Sequence, residues 1–204
     1  MPHANADTDS DALCHALTRV VAEHGWVGAS AERIARAAGL PAHALYDHFR
    51  SPEHCLAAVY DRMMERVTRT AVRAVAGRPL AVGPDAWRIQ LETVLGAVLT
   101  FFSLEPALAR TCLVEVVEAG PVARARRDDA LARFTAYVEG LRLSHGEPIP
   151  RLAAEVIALG TTDIIARRVV RGETDKLRDL LPDLRCMWDE SVREHAPAAT
   201  VVAD

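Results

Sequence analysis

Two dipeptides, Cys14-His15 and His54-Cys55, set a thiol beside an imidazole, and these are the ligand types of a structural zinc ion. Glu115 and Glu118 stand one helical turn apart, as paired carboxylates would in a metal-dependent helical enzyme. The di-iron version of that chemistry needs a glutamate followed three residues later by a histidine, and none of the eight histidines has a glutamate at that offset. A buried thiol is the commoner explanation of such Cys-His pairs. No G-x-x-x-x-G-K-[ST] or G-x-G-x-x-G loop occurs, and no strand-turn-helix pattern offers a nucleophilic serine. Catalysis, a bound metal and a cofactor are therefore not expected.

The pattern that remains binds rather than reacts. Ala38-Gly39-Leu40-Pro41 joins two short helical segments, with Ile34, Leu40, Leu45 and Phe49 spaced to lock them together. A glycine at the turn and a second helix left free are the marks of a helix-turn-helix, whose second helix enters a major groove. Any compact helical domain also contains such corners, so the surrounding elements must carry the rest of the argument.

Those elements are helical almost throughout: Ala, Leu, Arg and Glu recur at three- and four-residue spacing, and no sheet is expected. A first helix is predicted from about Asp9 to His24, closed by Gly25, and Ser30 is placed to cap a second. Pro41 suits the first turn of the third. Ser51-Pro52-Glu53 starts a long fourth helix carrying Leu56, Val59, Tyr60, Met63, Val67 and Val75 as its apolar stripe. The run Gly77-Arg78-Pro79-Leu80-Ala81-Val82-Gly83-Pro84 cannot continue a helix and divides the chain into units at 9–76 and 85–195. The second unit is predicted to hold helices over about Asp85–Ser103, Pro106–Ala119, Val122–Leu143, Arg151–Arg171 and Thr174–Glu194, the last kinked or restarted at Pro182. The fold class is thus all-α with about nine helices, and the tails Met1–Thr8 and Pro197–Asp204 read as disordered.

Composition narrows the function. Half of the 204 residues are hydrophobic, enough for a core, and the four cysteines are scattered without a C-x-x-C pair. No apolar run approaches the length of a membrane span and no cleavable leader is visible, so a cytoplasmic protein with no membrane partner is expected. The net charge of −4, and eight arginines against nine carboxylates within residues 1–76, exclude a basic nucleic-acid coat. DNA would have to be held by local patches.

Gly25-Trp26-Val27-Gly28-Ala29-Ser30, Ile34-Ala35-Arg36-Ala37-Ala38-Gly39-Leu40 and Leu45-Tyr46-Asp47-His48-Phe49 resemble the DNA-binding domain of the TetR family of transcriptional regulators, with spacing intact from Leu13 to about Tyr60. The resemblance implies that the third helix reads double-stranded operator DNA through Pro41, Ala42, His43, Ala44, Tyr46, Asp47 and His48, with Ser30 beside a phosphate. Arg33, Arg36 and Arg50 supply cations near that face. Tyr46 can pack while its hydroxyl reaches a phosphate, and His43 either reads a base edge or points into solvent. The chain departs from the family pattern where a hydroxyl residue is common (Ala44), an aromatic or histidine (Asp47), a lysine (Pro52) and a base (Glu32). Weak, salt-sensitive binding follows, or a helical ligand-binding protein that has lost DNA binding.

In the second unit Trp87, Leu91, Phe102, Cys112, Phe134 and Tyr137 can line an interior cavity or serve as ordinary core, with Glu115 and Thr161 as polar groups needing partners. The resemblance implies a small, largely hydrophobic effector among these helices and a repressor released from DNA by it. A homodimer is expected because one short recognition helix buries too little for tight specific binding, while two half-sites multiply the specificity. Ala154, Ile157, Ala158, Ile164, Ile165, Leu177, Leu180, Leu184 and Trp188 on the two C-terminal helices form the expected dimer face, and packing within one subunit explains them equally well.

Overall fold

A computed structural model describes residues 3–79, 82, 83 and 85–190, with side chains from residue 8 to 189 within that set. Every regular element among the described residues is helical. Helix α1 spans His3–His24. It starts ahead of Asp9, so the expected disorder does not extend to His3–Thr8, where no glycine or proline interrupts the helical sequence. Met1, Pro2 and the whole of Pro197–Asp204 lie outside the described residues. Leu13, Cys14, Ala16, Leu17, Val20 and Val21 form its buried face, the three-and-four spacing that the sequence displays.

Helix α2 covers Ala31–Ala37, with the Ser30 hydroxyl accepting the Arg33 amide at 3.2 Å. Its end is a Schellman closure: Gly39 N–H donates to Arg36 O and Leu40 N–H to Ala35 O, at 3.0 and 2.9 Å. That closure needs φ of +74° at Gly39, which glycine alone adopts without strain. Helix α3, Ala44–His48, is shorter than predicted. Pro41, Ala42 and His43 form a separate turn closed by Ala44 N–H to Pro41 O at 2.9 Å, so Pro41 precedes the helix instead of opening it. Helix α4, Pro52–Ala76, begins with Ser51 accepting the His54 amide and Pro52 in its first turn.

Beyond the glycine- and proline-rich connection, of which Leu80, Ala81 and Pro84 are not described, α5 runs Ala86–Leu104. The helix predicted over Pro106–Ala119 is broken into three geometries: α6 at Pro106–Ala109, a π turn at Arg110–Val114 and a 3-10 turn at Glu115–Val117. Within the π turn the Thr111 hydroxyl donates back to Ala107 O at 2.9 Å, and directly after it Glu115 turns toward the N-terminal helices. Helices α7, Pro121–Leu143, and α8, Arg151–Val170, follow the prediction closely. The last predicted helix is a 3-10 segment at Thr174–Leu180 and then α9 at Leu181–Glu190, with Pro182 second in α9, where its missing N–H costs nothing. Residues 191–194 of that prediction are not described.

Helix α4 is the axis of the molecule, packing against α1 on one side and α5 and α7 on the other, and one continuous apolar core runs through all of them. Its first turn also anchors α7. Glu53 accepts the Val122 and Ala123 amides at 2.6 and 3.4 Å, satisfying two of the free donors at that helix start. The carboxylate fits because Gly120 has no side chain: a Cβ there would lie 2.6 Å from Glu53 Cδ, and its φ is +112°. Gly120→Ala is expected to lower stability by about 2 kcal/mol, a melting shift of roughly 4–8 °C, through that backbone strain and loss of the Glu53 cap. Thermal unfolding measures it, and an unchanged melting temperature would remove Glu53 from this role.

Candidate functional site

Around the helix-turn-helix, Pro41, Ala42, His43, Tyr46, Asp47 and Arg50 are exposed on the turn and face of α3, and His48 is partly so. Tyr46 is 59% exposed, large for an aromatic residue and well placed for an external partner. Ala44 differs from the expectation: it is buried beside Leu45, because the helix turns that position inward, and presents no side chain outward. Ser30 is exposed at the start of α2 with its hydroxyl engaged as the cap. Arg33 bends back to donate to Gly28 O at 2.8 Å, bracing the loop before α2, while Arg36 points into solvent.

Two carboxylates modify this face. Asp47 Oδ2 of α3 lies 3.7 Å from His43 Nε2 in the turn before it, so that imidazole already has a carboxylate beside it. Glu32, fully exposed at the start of α2, is held below the usual carboxylate range by its own backbone N–H and then by the Ser30 hydroxyl. It is therefore anionic at neutral pH on a surface otherwise supplied with arginines.

Residues 13–59 match the family model described as bacterial regulatory proteins, tetR family. That segment is similar to the DNA-binding part of tetR-family regulators. Across nearly the whole chain, the fold is shared with solved regulators. The fatty acid degradation regulator FadR from Bacillus halodurans is 21% identical with a TM-score of 0.71, covering 87% of this chain and 93% of its own. FadR from Bacillus subtilis, solved in complex with stearoyl-CoA, is 18% identical with a TM-score of 0.70, covering 89% and 96%. A TetR-like transcriptional regulator from Rhodococcus sp. RHA1 is 23% identical at 0.62, covering 93% and 98%. No curated protein matches the chain.

Beneath α4 the chain holds an apolar cavity of about 140 Å³ between α4, α5, the π turn, α7 and α8. Phe102, Cys112, Phe134 and Thr161, four of the residues singled out in the sequence, line it. Burial pushes the Cys112 thiol well above its ordinary value, so it is a neutral wall group. The Thr161 hydroxyl is buried without a hydrogen-bond partner. The cavity also takes Tyr60, Met63 and Val67 from α4, whose stripe the sequence offers only as core, since a cavity wall and a packed core share one periodicity.

The other four residues lie elsewhere. Trp87 is fully buried, donates to Glu147 Oε2 at 3.1 Å and lies between Arg88 and Arg142, each 4.5 Å from its ring centroid. Leu91 is core, and Tyr137 accepts a hydrogen bond from the Gln90 amide nitrogen at 3.1 Å. Glu115 faces the helix-turn-helix: it accepts the Trp26 amide at 2.9 Å and pairs with Arg110 at 3.1 Å. Sequence spacing carries no sign of that contact, which joins positions 89 residues apart.

On the C-terminal helices, eight of the nine residues named for the dimer face are buried within the subunit, and only Ile164 reaches the surface. Packing against α5 and α7 explains the eight. The outward apolar residues are instead Leu152, Val156, Leu159 and Val170 on α8, between 47% and 72% exposed. Cys14 and Cys55 do meet, with a thiol hydrogen bond between them that, with burial, drives the Cys55 thiol up. His54 instead bonds the Ser51 hydroxyl at 2.9 Å, and no group of three metal-ligating side chains exists among the described residues. No single described helix is long and apolar enough to cross a membrane, although α5 and the Pro106–Val117 segment pass together as a pair bent by 107°.

Proposed function

We propose that this chain is a dimeric, ligand-responsive transcriptional repressor: residues 9–76 bind operator DNA, residues 85–195 bind a small hydrophobic effector, and effector binding releases the DNA. The observation that carries the reading is the position of α4. Its N-terminus follows α3 after three residues, with Tyr46 exposed and His48 partly so, and its middle supplies Tyr60, Met63 and Val67 to the apolar cavity. One rigid helix thus belongs to both sites. A ligand that prefers one setting of α4 shifts the population of DNA-competent molecules by its difference in affinity for the two settings. The similarly folded B. subtilis regulator was solved with stearoyl-CoA, which supports a ligand-responsive reading.

The DNA contacts are assigned to Pro41, Ala42, His43, Tyr46 and His48 on the turn and α3, with Ser30, Arg33, Arg36 and Arg50 at phosphates. Asp47 tempers His43. Dimerisation is assigned to the outward stripe Leu152, Val156, Leu159, Ile164 and Val170 together with α9, since a single α3 of five residues buries too little for tight specific binding. Selection of sites from random duplexes, followed by binding measured across salt, tests the reading. Failure to obtain a sequence-specific complex even at low ionic strength would sink it and favour a ligand-binding protein without DNA activity, the reading to which exposed Glu32 and Asp47 lend weight.

Glu32→Gln is expected to tighten binding to the selected site by ~5-fold at low salt, the effect of removing one like charge of about 1 kcal/mol near a phosphate. The gain should shrink as salt rises and screens that charge. An unchanged affinity at low salt would place Glu32 away from the DNA.

A further inference from the structure

We propose that the effector is a compact, uncharged hydrophobe about the size of one six-membered ring, carrying a single hydrogen-bonding oxygen that sits against Thr161. This rests on the effector site assigned above and names its chemistry. The volume sets the size: the cavity measures about 140 Å³, and an apolar cavity of ~150 Å³ admits one benzene. The stearoyl chain held by the B. subtilis regulator far exceeds that space.

The lining sets the polarity. Its walls are side chains such as Met63, Val98, Leu99, Phe102, Leu131 and Phe134, and Arg127 is its one charged residue among the described lining. That guanidinium lies 3.7 Å from the exposed carboxylate of its chain neighbour Asp128. Walls that are otherwise apolar suit a ligand without charge.

Thr161 sets the one polar contact. Several threonines of this chain turn their hydroxyls back onto the carbonyl four residues earlier: Thr93 to Ile89, Thr100 to Gly96, Thr111 to Ala107, and the neighbouring Thr162 to Ala158 at 3.0 Å. Thr161 makes no such bond, is 4% exposed, and lines the cavity. A buried hydroxyl left unpaired destabilises the empty protein, and a ligand oxygen in the cavity relieves it. The same bond selects against plain hydrocarbons.

The test measures phenol, benzene and stearoyl-CoA against the full chain by calorimetry, with Thr161→Val and Thr161→Ser alongside and helical content checked by circular dichroism. Phenol should bind more tightly than benzene. Thr161→Val should weaken phenol ~10-fold and leave benzene within about twofold, while Thr161→Ser, which keeps the hydroxyl, restores phenol. Binding of stearoyl-CoA in place of the small probes, no phenol binding, or equal phenol affinity for the natural chain and Thr161→Val each overturns the proposal. Of these, stearoyl-CoA binding that releases the selected DNA leaves the repressor reading intact. Conversely, phenol binding with the Thr161 signature but no change in DNA affinity upholds the ligand class and defeats the repressor reading.

Discussion

Arg142→Ala is expected to lower stability by about 3–5 kcal/mol, enough to leave much of the chain unfolded at 37 °C if its total stability is ordinary. Arg142 is fully buried near the end of α7, an unusual place for a guanidinium. Its Nε donates to Glu147 O at 3.0 Å, its Nη1 to Trp188 O at 3.4 Å, and its plane covers the Trp87 ring. Burial holds its pKa below the ordinary arginine value, with the Glu147 carboxylate opposing that shift. Alanine would strand two carbonyls, open a cavity beside Trp87 and Trp188, and remove the cation from the ring face.

A large apolar replacement separates these losses. Arg142→Met fills the space and should recover a substantial share, because Nη2 already lacks a partner and Glu147 retains Arg88 at 3.2 Å. Denaturant unfolding followed by tryptophan fluorescence reports directly, since Trp87 and Trp188 both border the site. Equal losses for the alanine and methionine variants would assign the effect to the hydrogen bonds; no loss for alanine would contradict the packing described.

Glu115→Ala is expected to cost about 1–3 kcal/mol and to loosen the helix-turn-helix selectively. Glu115 follows directly on the π turn whose Cys112 and Leu113 line the cavity, and it accepts the Trp26 amide beside the turn that precedes α2. Removing it leaves the Trp26 N–H without its acceptor and Arg110 without its carboxylate. Because Arg110 is 43% exposed, water replaces much of the second loss. Amide exchange at Trp26 should accelerate at least ~10-fold, while amides in the middle of α7 change little. Glu115→Gln, which keeps an acceptor oxygen, should lie between the two. Uniform acceleration across the chain would show a general loss of stability in place of a local uncoupling. Under the repressor reading, the same variant should also reduce the change in DNA affinity that an effector produces.

Local chemistry was largely legible in the residues. Ser30 and Ser51 cap, Gly39 turns, and α7 and α8 end close to where glycine and proline place them, because each depends on contacts within a few positions. The π turn was not legible, since Pro106–Ala119 is helical by composition and its Thr111 and Glu115 find their partners in the distant N-terminal segment. Ala44 likewise lies on the face named for DNA, and its burial follows from how α3 seats on α1 and α2.

The helix-turn-helix is therefore a property of the chain read in order: its cap, turn glycine and apolar spacing are short-range constraints that hold before any distant helix arrives. The division of the remaining apolar and acidic residues among cavity, core and junction is different. Thr161 faces a void, Trp87 an arginine stack and Glu115 the N-terminal helices, although all three read alike as residues of a buried helical unit. Which it is depends on partners 60 to 90 residues away, and helical periodicity reports that a side chain faces inward without reporting what it meets there.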